Sequence, residues 1–569
     1  MMRLPIFLLL LLCGGSVFAQ PVSRYDVIIT EIMADPDPVV ALPNAEYIEL
    51  KNRSNKPVNL QGWRLTTTSS RSGAFPNFIL QPDSFVIITT ATQQAGLSQF
   101  GTTISIPSFP ALVNSGTTLS LFSAEGNTIH AVAYADSWYN DAAKAKGGYS
   151  LEMIDETDPC TSAQNWSASK NGRGGTPGKP NSIAASNKDE TAPALLNAVV
   201  VNPTTLLVNF SETLDSSKAV AFANYRLQPD IEIKGVKALN PLLNAVELQL
   251  AQPIDSNTVY TLTVVQVVDC SGNILGTRNR LPVGQPKQIE PSDIVINEIL
   301  FNPKPAGSDY IELYNRSQKV LDVSQLQIAN RTSSGQLANM RKTSPFPLYI
   351  FPGDYLVLTE DALILPKQYF VPNIDAVLQV SSLPSMPDIE GTVVLLNNQQ
   401  TVIDEVRYTK DWHHPMIRDA EGVALERIDI NGPSEKKENW HSAASEVGYG
   451  TPTYKNSQFV PTLSKAIIDV LPKTFSPDSD GYNDVTNIEY NTTENGFVAN
   501  VYIYDAAGRL VRHLVKNGLM ATKGQWVWNG LNENSQLLPV GPYVIAAELF
   551  NSQGVKVYYK TTVVLAKRL

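Results

Sequence analysis

The residues whose types and spacing could do chemistry are two matching sets of carboxylates. Glu31, Glu46 and Glu49 recur as Glu298, Asp309 and Glu312 within the same short motifs. Paired carboxylates hydrolyse glycosides when they oppose each other across a cleft. Glu46 and Glu49, however, share one strand beside an expected sheet edge, with no cleft evident. Along that strand Tyr47, Glu49 and Lys51 alternate with Ile48 and Leu50. Such alternation marks a sheet with one solvated face, so the expectation is a solvated structural surface and no catalysis.

The remaining candidates are sparser. "PDSDGYND" crowds Asp478, Asp480, Asn483 and Asp484 around Gly481. Calcium prefers such hard oxygen ligands, but the twelve-residue loop and closing Glu of an EF-hand are absent. The stretch reads as a turn whose side chains cap their own backbone, with calcium as the alternative; no other cofactor is expected. Only five His occur in 569 residues, which leaves little acid–base or metal-binding capacity. The adjacent pair His413 and His414 would point to opposite faces of a strand and chelate poorly. "GGTPG", from Gly174 to Gly178, lacks the Lys-Ser/Thr ending of a phosphate loop and reads as a turn. There is no G-x-S-x-G elbow. The chain is expected not to be an enzyme.

The elements that position these residues are repeated. "EYIELKNRSNKPVNLQGWRL" (Glu46 to Leu65) returns as "DYIELYNRSQKVLDVSQLQI" (Asp309 to Ile328), and "VIITEIMADPDP" (Val27 to Pro38) as "IVINEILFNPKP" (Ile294 to Pro305). Tyr134, Trp138, Leu151, Glu152, Asn165 and Trp166 recur 274 residues on as Tyr408, Trp412, Leu425, Glu426, Asn439 and Trp440. In the same alignment His130 faces Asp404, Tyr139 faces His413 and Cys160 faces Ser434. "GTP" closes both copies, at Gly175 and Gly450. A constant offset held over such a length indicates two homologous domains, spanning 24–182 and 291–457. Short period-two apolar runs between Pro, Gly, Asn and Asp turns predict β-sandwiches.

The "TEI"/"NEI" strand, the "EYIEL"/"DYIEL" strand, "LQGWRL", and "SLE…NW…GTP" with "ALE…NW…GTP" resemble the lamin-tail domain, an immunoglobulin-like sandwich. Gln325 and Leu326 stand in the second copy where the first has Gly62 and Trp63. Residues 189–285, with "KDETAP", "NFSE" and "DCSGN", resemble bacterial Ig-like domains, which act in that family as spacers. Residues 466–569, with "DAAGRLV", "WNG" and "PVGPYV", resemble the FlgD-like Ig-like domain of exported bacterial proteins. "VVLAKRL" resembles the basic tail of type IX secretion cargo, which implies that secretion machinery as a partner. Together these give an all-β chain of four immunoglobulin-like sandwiches.

Arg3, the apolar run Leu4 to Leu12 and the small residues Val17 and Ala19 form a leader, residues 1–19, cut between Ala19 and Gln20. No later run reaches the length of a membrane helix. The net charge of −10 excludes nucleic acid as a main partner, because phosphate binding needs a basic face. Beyond the leader only Cys160 and Cys270 remain, an even number suited to an oxidising compartment. Both sit in loop-like sequence. A staple between two domains is the reading, with two separate thiols as the alternative. The sequence therefore predicts a secreted or outer-surface scaffold or adhesion protein that binds a cell-surface protein or glycan. The alternative is an accessory, polysaccharide-binding part of a secreted hydrolase system.

Overall fold

The computed structural model describes residues 22–160, 163–459, 467–492, 495–552 and 554–567. The leader, with its expected cut at Ala19 and Gln20, lies outside them, as do the last two residues. The chain is all-β and divides into two compact units, residues 1–253 with 260–283, and residues 254–259 with 284–569.

In the first unit, six strands make the main sheet of the first repeat, in the order Trp166–Ala168, Leu151–Met153, Val27–Met33, Tyr47–Asn52, Phe85–Thr89 and Thr103–Ser105. The last pair is parallel and the others antiparallel. A second sheet of Arg64–Thr66, Gly116–Phe122 and Thr128–Ala135 closes the sandwich. Between the sheets lie Ile28, Ile48, Leu50, Trp63, Leu119, Leu121, Ile129 and Trp166. The same unit holds a seven-stranded sandwich, with sheets of four strands (within 195–250) and three strands (within 225–283). There Val246, Leu248 and Leu250 are buried on one face of their strand while Gln249 is exposed, the alternation read from the sequence.

The second unit repeats the first design. Its six-stranded sheet runs Trp440–Ser442, Leu425–Arg427, Ile294–Leu300, Tyr310–Asn315, Tyr355–Thr359 and Val377–Gln379, the same strand order as in the first repeat. Leu326 is fully buried where the first repeat buries Trp63, so the departure in sequence keeps the same core role. Tyr134 and Tyr408 each donate a hydroxyl hydrogen bond to a backbone carbonyl twenty-one residues earlier, Val113 and Pro387. The Trp138–Trp166 and Trp412–Trp440 ring centroids are 6.5 and 6.3 Å apart. Equivalent large aromatics at equivalent spacing preserve the shape of a close-packed core.

The C-terminal sandwich of the second unit pairs a sheet of three strands with one of five. Gly508, at φ 78°, turns the chain between Val498–Asp505 and Leu510–Leu519. A left-handed backbone of this kind favours glycine. Asp505 caps that turn by accepting the N–H groups of Ala507 and Arg509.

Candidate functional site, a carboxylate clasp in each repeat

The first strand of each repeat carries a bulge, where the register slips between Ile29 and Glu31 and between Ile296 and Glu298. A bulge re-aims a side chain and leaves an N–H without its ladder partner. His130 Nδ1 accepts the Ile29 N–H at 2.9 Å, and Asp404 accepts the Ile296 N–H at 2.8 Å. His130 and Asp404, dissimilar residues facing each other in the alignment, thus serve one purpose.

Beyond the bulge, Glu31 is flanked across the ladder by Glu49 and Glu152, and Glu298 by Glu312 and Glu426. All six are fully buried. This corrects the expectation of a solvated face at a sheet edge. The Tyr47–Asn52 strand lies inside the sheet. Its polar face is covered by the segment 174–183, so alternation there separates a dry apolar core from a hydrogen-bonded polar layer. Glu46 and Asp309 stand just outside the strands and do not join the clusters. Glu46 instead accepts the Leu112 N–H.

The carboxylates hold that covering segment. Glu31 Oε1 accepts from the Tyr47 hydroxyl at 2.7 Å, the Ser150 hydroxyl at 2.6 Å and the Thr176 N–H at 2.8 Å. The Thr176 hydroxyl donates to Glu152 at 2.8 Å, and Ser182 to the other Glu152 oxygen at 2.8 Å. Glu49 accepts from Thr30 and from the Gly178 N–H. The second repeat reproduces the pattern. Tyr310 and the Thr451 N–H donate to Glu298, the Thr451 and Ser457 hydroxyls and the Gln458 N–H to Glu426, and the Thr453 N–H to Glu312. Asn181 and Asn456 complete each clasp by donating to two backbone carbonyls of the sheet. "GTP" is therefore the clasped strap. Glu152 and Glu426 are the members that sequence reasoning did not place in the set, although an acid recurring inside "SLE" and "ALE" was the available signal.

The electrostatics of the clasp follow from its burial. Burial pushes Glu31 up to about 7, with Glu152 adding to it against the lowering bonds from Ser150, Tyr47 and Thr176. Burial, reinforced by Glu426, pushes Glu298 up to about 8. Glu49 and Glu312 are held well above the usual carboxylate range, by burial and then by the neighbouring carboxylate. Loss of water and like charge both disfavour the ionised form.

Two smaller acidic groups could each share one hard cation. In the Asp-rich turn, ligand atoms of Asp478, Asp480 and Asp484 lie within 4.8 Å of one another. The same carboxylates cap the turn. Asp484 accepts from Ser479 and Gly481, Asp480 from Tyr482, and Asp478 from Asp480. Asn483, at φ 52°, contributes its carbonyl to the Ser476 N–H. The other group, Asp189, Glu212 and Asp269, gathers the acidic residues of "KDETAP", "NFSE" and "DCSGN", far apart in sequence. Burial, then the two aspartates, push Glu212 up to about 7. Beside this group, Cys160 and Cys270 form a disulfide with Cα atoms 6.3 Å apart. Ser271 donates to Asp158 at 2.8 Å across the same junction.

With this geometry in hand, the chain can be set beside known proteins. The family model described as Lamin Tail Domain matches residues 20–136 and 287–410. No curated protein matches the chain. Among solved structures the chain is similar to CopC from Methylosinus trichosporium OB3b, at 16% identity over 18% of this chain and 96% of that one, with a TM-score of 0.13. It is also similar to the N-terminal part of the bacterial S-layer protein SbsC, at 14% identity over 29% of this chain and 40% of that one, with a TM-score of 0.16. A third is PorZ, a bacterial surface component of the type-IX secretion system of Porphyromonas gingivalis, at 10% identity, 79% and 56% coverage and a TM-score of 0.16. This chain thus spans about half the length of the last two. The lamin-tail model thus matches one region in each copy of the repeat.

Proposed function

We propose that this protein is an exported, non-enzymatic scaffold whose sandwiches present binding faces to a cell-surface protein or glycan. The observation that carries the reading is the fate of the clasp carboxylates. Glu31, Glu49 and Glu152, with Glu298, Glu312 and Glu426, are fully buried and bonded to hydroxyls and N–H groups of their own domain, so they serve to fold each repeat. A glycosidase needs its carboxyl pair facing a substrate. The Cys160–Cys270 disulfide supports export, since such bonds persist outside the reducing cytoplasm. The leader and the basic tail suggest the type IX machinery as the route, with the protein released or held at the outer surface.

The second reading, polysaccharide binding for a secreted hydrolase system, rests on a groove of about 580 Å³ in the second repeat. It is lined by Asp388, Lys410, Asp411, Arg418 and other residues. Cell fractionation followed by a glycan and protein binding panel separates the two. The scaffold reading expects an extracytoplasmic protein that starts at Gln20, binds a surface partner and gives no product in hydrolase screens. Turnover lost in any of the single variants Glu31→Gln, Glu46→Gln or Glu49→Gln would overturn it.

A further inference from the structure

Three of the five histidines converge on one place in the second unit. His413 and His414 are 8% and 4% exposed, and the His414 and His441 ring centroids are 5.4 Å apart. The first repeat has Tyr139, Asn140 and Ser167 at these positions. The imidazoles are therefore not part of what the repeat needs to fold. What distinguishes the second repeat here is the C-terminal sandwich joined to it. A Cβ placed on Gly496 of that sandwich would stand 2.9 Å from His441 Nε2. Elsewhere along the joint, Gln458 donates to the Met520 carbonyl, Ser445 to the Leu519 carbonyl, and the Thr522 N–H to the Ser457 carbonyl, at 2.9 to 3.0 Å. The Ala521 N–H donates to Glu446 at 2.8 Å. Among the described residues the three imidazoles are not one of the groups close enough to hold a metal ion.

We propose that the joint between the second lamin-tail repeat and the C-terminal sandwich is an acid-sensitive latch, in which His414 and His441, backed by His413, pack uncharged and release the sandwich when protonated. His413 Nδ1 is bonded to the Ser442 hydroxyl, which also accepts the His414 N–H. His414 Nδ1 accepts the Met416 N–H, a bond that protonation at that nitrogen would break. Nε2 of both rings is buried without a partner; in His414 that nitrogen carries the neutral ring's proton, so the added proton falls on Nδ1 at the expense of the Met416 bond, with the Gly496 backbone offsetting part of the cost.

Among the described residues, these other titratable groups stand at the joint. Asp388, Lys410, Asp411, Arg418 and Asp419 line the groove beside His413 and His414. Glu426 pairs with His441 across the ladder, and Glu446 faces the Ala521 N–H. Burial lowers His413 and His441 to about 4 and lowers His414, with the neighbouring imidazole lowering His413 and His441 further. A depressed imidazole stabilises the closed joint above its free value near 6.5, and that contribution is lost as the pH falls toward 4. Glu426 and Glu446 are raised by loss of water and act in the opposite sense, tightening the joint as the pH falls. The window for the imidazoles therefore runs from about pH 6.5 to about 4.

Hydrogen exchange on the mature chain tests this. A shift from 6.5 to about 4 on one imidazole opposes closure by up to about 30-fold at pH 5. In Glu446→Gln, which keeps an acceptor for the Ala521 N–H and removes a carboxyl whose protonation tightens the joint over the same pH range, the Ala521 and Thr522 amides are expected, after correction for intrinsic rates, to lose at least tenfold protection between pH 6.5 and 5. The strap 174–183, held by the same carboxylate pattern without those histidines, should keep or gain protection and so reports on the repeat itself. In the same background, His413→Tyr with His414→Asn and His441→Ser, the residues of the first repeat, should abolish the acid opening. Unchanged protection at Ala521 and Thr522 in Glu446→Gln overturns the proposal even if the histidine variant fails to fold. Equal acid opening in a folded variant overturns it as well.

Discussion

At the scale of single residues, the two repeats solve one problem with different chemistry. The bulged strand leaves an N–H to be satisfied at Ile29 and Ile296. His130 meets it in the first copy, with Nε2 bonded to the Pro159 carbonyl. In the second copy Asp404 meets it, and Arg427 pairs with Asp404. The Arg427 guanidinium is fully buried, bonds Asp404 at 2.9 Å and packs 5.1 Å from the Trp440 ring centroid. Removing one partner of such a pair strands the other charge in a dry site. Asp404→Ala is expected to destabilise the second repeat by about 3–5 kcal/mol in denaturant unfolding. Adding Arg427→Met, which imports the first repeat's Met153, should recover much of that loss. If the double variant is as unstable as the single one, the guanidinium is not the source of the damage.

At the scale of the element, the strap is what turns a polar strand face into an interior. Its path leaves no room beside the acids. A Cβ on Gly175 would lie 2.6 Å from both Glu31 Oε1 and the Tyr47 hydroxyl, and one on Gly450 2.8 Å from the Tyr310 hydroxyl. The glycine of "GTP" is thus required by close approach and not by its backbone angles. Gly175→Ala should push the strap off its acceptors and destabilise the first repeat by about 1–3 kcal/mol, the range for overpacking a tight site. Exchange of the Thr176 and Gly178 amides is the direct readout. Ordinary protection there with an unchanged melting temperature would show that the strap can shift without loss.

At the scale of the molecule, the disulfide works within the first unit by tying the first repeat to the sandwich that follows it. It closes a separation of 110 residues, for which chain entropy alone gives a stabilisation of roughly 4–5 kcal/mol. Replacing both Cys160 and Cys270 by Ser, checked by chemical denaturation against the oxidised protein, should lower the stability of that unit by an amount of this order. The second repeat already carries Ser434 in place of Cys160, so the fold of the sandwich should persist. Two free thiols on non-reducing mass analysis would contradict the bond itself.

Much of this was legible in the sequence because it depends on period and spacing. Alternating apolar residues predict strands, and a constant offset of recurring residues predicts two like domains; both follow from local geometry that a linear string preserves. The even cysteine count raised the Cys160–Cys270 pairing in the same way, although two loops cannot by themselves say that their sulfurs meet. The environment of the acids was not legible. Glu49 alternates with apolar neighbours just as a solvated residue would, and only the return of a strap some 130 residues later seals it from water. The histidines illustrate the same limit. His413 and His414 make a poor chelate as adjacent residues, yet the tertiary fold brings His441 and the C-terminal sandwich against them. Burial and proximity between distant segments decide the charge a side chain carries, and neither is a property of the sequence around it.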